Sequence, residues 1–124
     1  MVDEGLSQQL QDQINRLRQM QLQLQMIQQQ RQQVELKLRE VEEALEELKK
    51  VNDKTPIYRN VGNILIKTKG KSQVIEELKN SKETLELRKN TLLKQEGRTK
   101  EKLSELQSKV QNAVNLAAGK VSAG

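Results

Sequence analysis

The side chains that could take part in catalysis are carboxylates, because the chain has 17 Asp and Glu residues but neither His nor Cys. Catalytic acids and bases must converge on one substrate. Here the carboxylates are spread along two long stretches with helical periodicity, and no glycine-rich phosphate-binding loop occurs. Without His or Cys, neither a metal site nor a thiol nucleophile is expected. The sequence therefore predicts a binding protein with no enzyme activity, no metal and no cofactor.

The composition is typical of long helices. Of the 124 residues, 34% are hydrophobic and 1% aromatic, which is too little apolar material for a globular core. No apolar run approaches the roughly 20 residues that span a membrane, and the first residues lack the layout of a signal peptide. The absence of Cys fits a reducing compartment. We therefore expect a soluble, cytoplasmic protein with no membrane partner.

The net charge of +5 is spread along the chain. From residue 55 onward the chain has fourteen basic and seven acidic residues. The basic excess lies along the second helical stretch, interleaved with glutamates and without stacking aromatic side chains. Mixed signs favour a solvated helix face, because proteins that follow a nucleic-acid backbone combine basic grooves with aromatic platforms. We therefore predict no nucleic-acid partner. The alternative is a stripe of basic residues that binds phosphates.

Two segments keep the alternating three- and four-residue spacing of apolar side chains that is typical of a coiled coil. They predict one helix over residues 8–50 and a second over residues 72–117, followed by a flexible tail at 118–124. If the helices pair antiparallel, Leu38 faces Leu85 and Leu24 faces Thr99. The predicted seam consists of Leu24, Ile27, Val34, Leu38, Val41, Leu45 and Leu48 on the first helix and Leu78, Leu85, Leu92 and Leu103 on the second.

The segment between the helices, residues 55–70, predicts a β-hairpin. A Gly62-Asn63 pair lies between two β-rich runs, and Gly can take the positive φ that a type II′ turn needs at its first central position. The strands are predicted at 57–61 and 64–68, and the alternative is an irregular loop. Neither hairpin face is cleanly polar, so its edges and faces need other hairpins, for example in a closed barrel. The predicted assembly residues are Ile57, Tyr58, Val61, Gly62, Ile64, Leu65 and Ile66.

The hairpin sequence YRNVGNILIKT at 58–68, followed by ETLELRKNTLLKQE at 83–96, resembles the β subunit of archaeal prefoldin over nearly the whole chain. The resemblance implies one prefoldin-like domain over 1–124, mainly α, with an antiparallel two-helix coiled coil and a hairpin that joins an oligomeric β-barrel. It also implies a hexamer of two prefoldin α subunits and four β subunits. Such a hexamer captures unfolded client proteins without ATP and passes them to a group II chaperonin.

The function that follows as a hypothesis is that of a chaperone subunit holding clients with the helix ends. The predicted client-binding residues are Leu6, Leu10, Ile14, Leu17, Leu106, Val110, Val114 and Leu116. Towards these ends, apolar residues such as Leu22 and Met26 also occur off the seam. For Ile14 and Val114 the alternative is a contact between the two helices. Two other functions remain possible from the sequence: a coiled-coil spacer without clients, and a basic nucleic-acid binder.

Overall fold

The computed structural model describes residues 3–123, with side chains for residues 8–119. Two helices flank two strands: α1 at Asp3–Lys49, β1 at Tyr58–Val61, β2 at Ile64–Lys67 and α2 at Lys71–Ala123. α1 is rich in Gln, Glu and Leu, and α2 is rich in Lys, Leu and Glu, all of which are good helix formers. The single proline, Pro56, lies in the connection after α1, where it interrupts no helix. The predicted fold class, two long helices joined by an antiparallel hairpin, is confirmed.

Both helices extend beyond the limits that the sequence predicts. α1 begins at Asp3, before residue 8, and α2 continues to Ala123 through most of the segment predicted as a flexible tail. That segment contains alanines and no proline, so it has no strong helix stop. α2 begins at Lys71, one residue earlier than predicted. It directly follows Gly70, whose φ of 127° favours glycine.

The hairpin has the predicted register, with Val61 paired to Ile64 across the turn. Gly62 has a φ of 60°, and no non-glycine residue of the described chain has a positive φ, so Asn63 is not left-handed. A positive φ at the first central residue alone is the pattern of a type II′ turn, whose twist matches that of antiparallel strands. The alternative of an irregular loop is therefore wrong.

Hydrogen bonds close the base of the hairpin beyond the last strand residues. The backbone N–H and the Oγ1 hydroxyl of Thr68 both donate to the Ile57 carbonyl, at 2.9 and 2.8 Å. The Lys71 ammonium donates to the Val51 carbonyl at 2.8 Å and lies 3.5 Å from the Asp53 carboxylate. The start of α2 is thereby attached to the connection that directly follows α1.

The helices contribute to two units. One joins α1 up to Gln30 with α2 from Leu92, and the other comprises residues 31–91 with the hairpin. In the unit with the hairpin, Val34, Leu38 and Leu48 are buried, while Val41, Leu45, Leu78 and Leu85 are half-buried. In the other unit, Ile27, Leu92 and Leu106 are buried, and Leu24 and Leu103 are half-buried. Each unit thus has its own apolar contact between the two helices. The description of the chain as one domain stays a prediction.

Candidate binding surfaces

The hairpin exposes apolar side chains on both of its faces. Every residue of β1 and β2 is exposed in the single chain. Successive side chains of a strand point to opposite faces, so Tyr58 and Leu65 lie on one face and Val61, Ile64 and Ile66 on the other. Five apolar side chains of the hairpin are 50–69% exposed, and together they are called the hairpin surface: Tyr58, Val61, Ile64, Leu65 and Ile66. An apolar surface of this kind on both sides of a two-stranded sheet requires a partner.

Ile57 is one of the predicted assembly residues but has a different environment. It is half-buried and lines a groove of about 330 Å³ between the hairpin and α2, together with Val74 and Leu78. At the rim of this groove, the Arg59 guanidinium on β1 forms an ion pair with the Glu77 carboxylate on α2. Ile57 therefore attaches the hairpin to its own helix, and the ion pair helps to orient the hairpin surface.

The predicted client-binding residues have different environments in the structure. Leu6 lies outside the residues whose side chains are described. Four are half-buried, namely Leu10, Ile14, Leu17 and Val110, and Leu106 is buried. Only Val114 and Leu116, which are 42% and 67% exposed, present most of a large apolar side chain to solvent. The structure thus brings most of this set into the contact between the helix segments, and leaves two exposed near the end of α2.

Other exposed apolar side chains lie on the helices outside the predicted set. Leu22 and Met26 are 61% and 60% exposed, although the sequence only marks them as off the seam. Leu36, Leu87 and Leu93 are 54%, 64% and 43% exposed and were not singled out. The signal that could have found them is their position one or two residues after a seam residue, which turns them away from the partner helix.

A polar layer interrupts the apolar contact in the unit that contains the helix ends. Glu96 takes a seam position of α2, and its side chain is 7% exposed. The Gln28 Nε2 group on α1 donates to Glu96 Oε1 at 3.3 Å, and the Lys100 ammonium lies 3.3 Å from the same oxygen. Thr99 is also buried beside this layer. The hydrogen bond from Gln28 agrees within one residue with the predicted register, in which Leu24 faces Thr99.

The groove between the helix segments near the hairpin carries charges of both signs. It has a volume of about 590 Å³, and its lining includes Glu42, Glu46 and Lys49 from α1 and Lys79 and Lys82 from α2. The ammonium of Lys49, hydrogen bonded to Glu46 at 2.9 Å, lowers the pKa of the Glu46 carboxyl. Because Glu46 is exposed, water and salt screen this pair. The groove therefore combines both signs of charge, with one basic side chain in excess.

Within the described residues, no three or more His, Cys, Asp and Glu side chains come together as metal ligands. No helix in the same part of the chain is both long and apolar enough to cross a bilayer. The features that stand out on the chain are therefore its exposed apolar surfaces.

Residues 11–116 match the family described as Prefoldin subunit, over the helices and the hairpin alike. The chain belongs to the prefoldin family. This confirms the resemblance that the hairpin sequence indicates. Prefoldin proteins are chaperone subunits, so family membership implies assembly with other prefoldin subunits.

Individual prefoldin relatives agree with this assignment. The prefoldin subunit beta of Archaeoglobus fulgidus is 50% identical over 114 residues, which cover 92% of this chain and 97% of the relative. The prefoldin subunit beta of Thermococcus onnurineus is 44% identical over 116 residues, covering 94% and 87%. The crystal structure of the prefoldin beta subunit from Thermococcus strain KS-1 has a TM-score of 0.75 at 41% identity, covering 85% of this chain and 91% of that chain. The similarity thus extends over sequence and fold.

Proposed function

We propose that this chain is a subunit of an ATP-independent chaperone that assembles through the hairpin surface and holds unfolded proteins with its helix ends. The observation that carries the proposal is the exposure of large apolar side chains on both faces of the hairpin. A spacer that only separates two helix segments has no need of such a surface. A holding chaperone needs one surface for assembly and another for clients.

The hairpin surface is the proposed assembly site. Pairing each hairpin with neighbouring hairpins in a closed barrel would cover both apolar faces and leave no free strand edge. The proposed partners are the prefoldin α subunit and further copies of this chain, in a hexamer of two α and four β subunits. Gly62 supports this role indirectly, because its turn sets the register on which the side-chain pattern of the hairpin depends.

The client site is proposed at the helix ends, where Val114 and Leu116 are exposed. The half-buried residues Leu10, Ile14 and Val110 add partly accessible apolar area beside them. An unfolded protein exposes apolar side chains, and burying each of them against this site contributes roughly 25 cal/mol per Å². Binding of this kind uses no nucleotide, no metal and no catalytic group. We further propose that the complex works in the cytoplasm, passes clients to a group II chaperonin, and binds no nucleic acid.

Two measurements test the proposal. Light scattering of the purified chain, alone and with a prefoldin α subunit, gives the mass of the assembly. Dilution of a chemically unfolded client into buffer without nucleotide, with and without that assembly, gives protection as reduced turbidity. We expect a multi-subunit complex that suppresses client aggregation. A complex of full size that gives no protection would favour the coiled-coil spacer, and a chain that stays monomeric with its partner would contradict the assembly site.

A further inference from the structure

One stretch of α1 carries no charge at all. Residues 19–30 contain seven glutamines and no Asp, Glu, Lys or Arg. Within this stretch Leu22 and Met26 are 61% and 60% exposed. They are four residues apart, so their side chains are neighbours on one face of the helix. The glutamines at 19, 23 and 30 are exposed beside them. This face of α1 is therefore apolar and amide-rich, although it is in contact with water.

Basic side chains of α2 lie at the same level of the helix pair. The hydrogen bond from Gln28 to Glu96 sets the levels. Because the segments are antiparallel, Arg98, two residues after Glu96, lies level with Met26, two residues before Gln28. By the same count Lys102 lies level with Leu22. Arg98 and Lys102 thus lie on α2 at the level of the exposed apolar pair on α1.

Arg98 and Met26 also lie on the same side of the seam. Arg98 follows the seam residue Glu96 by two positions, and Met26 follows the seam residue Leu24 by two positions. In an antiparallel pair, residues at equivalent heptad positions of the two helices lie on the same side of the seam. Arg98 and Lys102 are exposed, and neither has an ion-pair partner among the described residues. By contrast, the neighbouring Lys100 is paired with Glu96. The Arg98 and Lys102 charges therefore lie at the level of an apolar surface that has no charge of its own.

We propose that Leu22, Met26, Arg98 and Lys102, with the glutamines of residues 19–30, form a client-contact surface that prefers unfolded segments in which apolar residues adjoin Asp or Glu. This inference rests on the proposed function and specifies its client class. Leu22 and the flexible Met26 take the apolar side chains. The glutamine amides donate to and accept from the unpaired backbone of an unfolded chain. The Arg98 guanidinium and the Lys102 ammonium form ion pairs with the Asp or Glu carboxylates of the client.

The geometry also sets the spacing of the preferred segment. Packed helix axes lie about 8–10 Å apart, and positions on their outer halves are somewhat further apart. An extended chain advances about 3.3 Å per residue, so roughly three to five residues bridge from the apolar pair to the basic pair. A carboxylate at that distance from a Leu or Met can reach Arg98 or Lys102 while the apolar side chain covers Met26.

The test uses three fluorescent unfolded peptides of equal length and equal Leu and Met content, with Glu, Lys or Ser at the remaining positions. Binding to the full chain in its assembled form is measured by fluorescence anisotropy. We expect the Glu peptide to bind about three- to tenfold more tightly than the Lys peptide at low ionic strength, since two exposed ion pairs contribute modestly. Added salt should reduce this preference as the Debye length shortens.

Two pairs of variants locate the effect. The double variant Arg98→Gln, Lys102→Gln should lose the preference for the Glu peptide over the Lys peptide and still bind the Ser peptide. The double variant Leu22→Ser, Met26→Ser should bind all three peptides more weakly. The matched controls, Arg88→Gln and Leu87→Ser, alter an exposed Arg and a 64% exposed Leu in the unit with the hairpin and should change nothing.

Equal affinity for the Glu and Lys peptides, or a preference that survives in the Arg98 and Lys102 variant, would overturn the inference. In that case the proposed function stands as long as the Ser peptide still binds and unfolded clients are still protected from aggregation. If no peptide binds and no client is protected, the inference and the proposed function both fail. Competition with a single-stranded oligonucleotide is a further control. If the oligonucleotide displaces the Glu peptide and has the higher affinity, the surface is assigned to nucleic acid and the inference is overturned.

Discussion

Glu96 takes a seam position of α2 at which coiled coils commonly carry an apolar side chain. A carboxylate that is 7% exposed loses most of its hydration, and this loss is offset by the Gln28 amide and the Lys100 ammonium at 3.3 Å each. The Gln28 amide reaches Glu96 only when the two segments are in the observed register. The polar layer therefore contributes to register more than to stability.

Two substitutions of Glu96 should separate these contributions. Glu96→Ala leaves the half-buried Gln28 amide without this acceptor and opens a gap, so the free energy of unfolding should fall by about 1–3 kcal/mol. Glu96→Leu fills the same position with an apolar side chain, and replacement of a buried polar group in this way is often neutral or stabilising. Thermal melting at one fixed protein concentration checks this. Equal destabilisation by both substitutions would contradict the account of the layer.

Gly97 offers a stabilising substitution. It lies inside α2 without a positive φ, and a Cβ atom built there meets nothing within 4 Å. Glycine in a helix interior is less favourable than alanine by about 0.5–1 kcal/mol, because it loses more backbone freedom on folding. Gly97→Ala should therefore raise the melting temperature and leave assembly unchanged. As a control, Gly62→Ala removes a glycine whose φ of 60° requires it, and it should lower stability.

At the scale of elements, the hairpin combines a fixed turn with an exposed surface. Gly62→Val places a β-branched residue at φ 60°, where the strain arises from backbone conformation, since a Cβ atom has open space there. Ile64→Asp with Ile66→Asp places charges on side chains that are 65% and 50% exposed in the single chain and buried in the proposed assembly. Both changes should reduce the mass of the complex on sizing chromatography while the helical circular dichroism persists.

A matched control makes this prediction specific. Leu87→Asp introduces a charge at a side chain that is 64% exposed, close to the 65% of Ile64, but on α2 and outside the hairpin surface. It should leave the mass of the complex unchanged. Complexes of normal size from the Ile64 and Ile66 variant would show that the hairpin surface is not the assembly site.

The pairing of helix segments in the unit with the hairpin can be measured directly. Leu38 is buried and Leu85 half-buried, and the antiparallel register predicts that they face one another. Because the chain has no cysteine of its own, Leu38→Cys with Leu85→Cys provides a single pair of thiols. Facing seam positions lie within reach of a disulfide. Oxidation at low concentration should give an intrachain bond, whereas crosslinks only between chains would contradict this pairing.

Local patterns in the sequence account for most of the elements. The Gly62-Asn63 pair between β-rich runs predicts the turn and the register, because turn type and strand pairing depend on neighbouring residues. Helix ends are less predictable, because the alanines near residue 118 carry no strong stop signal. The environment of Glu96 depends on Gln28, which is 68 residues away, and periodicity within one helix cannot reveal such a partner. For the same reason the sequence did not separate the half-buried Ile14 from the exposed Val114.

At the scale of the whole molecule, assembly and client binding are proposed to use different parts of the chain. The hairpin surface lies between the helices, while Val114 and Leu116 lie near the end of α2, far from the hairpin along the sequence. If several copies assemble, each contributes its own helix ends to one client, and weak contacts at each end add to a stronger total by multivalency. Changes at the ends should therefore affect capture strongly and assembly little.

Substitution at the ends is the milder test of this separation. Val114→Ser with Leu116→Ser removes two exposed apolar side chains, each of which could contribute about 1.5–3 kcal/mol if a client buried it completely. Because both are exposed, the melting temperature should hardly change. The turbidity of a diluted unfolded client should rise relative to the wild type. Leu87→Ser, with 64% exposure against 67% for Leu116, is the matched control and should protect normally.

Truncation is the stronger test. Deleting residues 1–16 together with 108–124 removes both helix ends but keeps the hairpin, the polar layer at Glu96 and the seam from Leu17 to Leu106. The truncated chain should still form a complex with its α partner, in the same subunit ratio, because the hairpin surface is intact. Its protection of a client should fall further than that of the Val114 and Leu116 variant, because the deletion also removes Leu10, Ile14 and Val110 from every copy. Protection that remains should come from the surface at Leu22 and Met26, and should therefore favour acidic segments. A truncated complex of normal composition that protects every client as well as the wild type would show that the ends are not the client site.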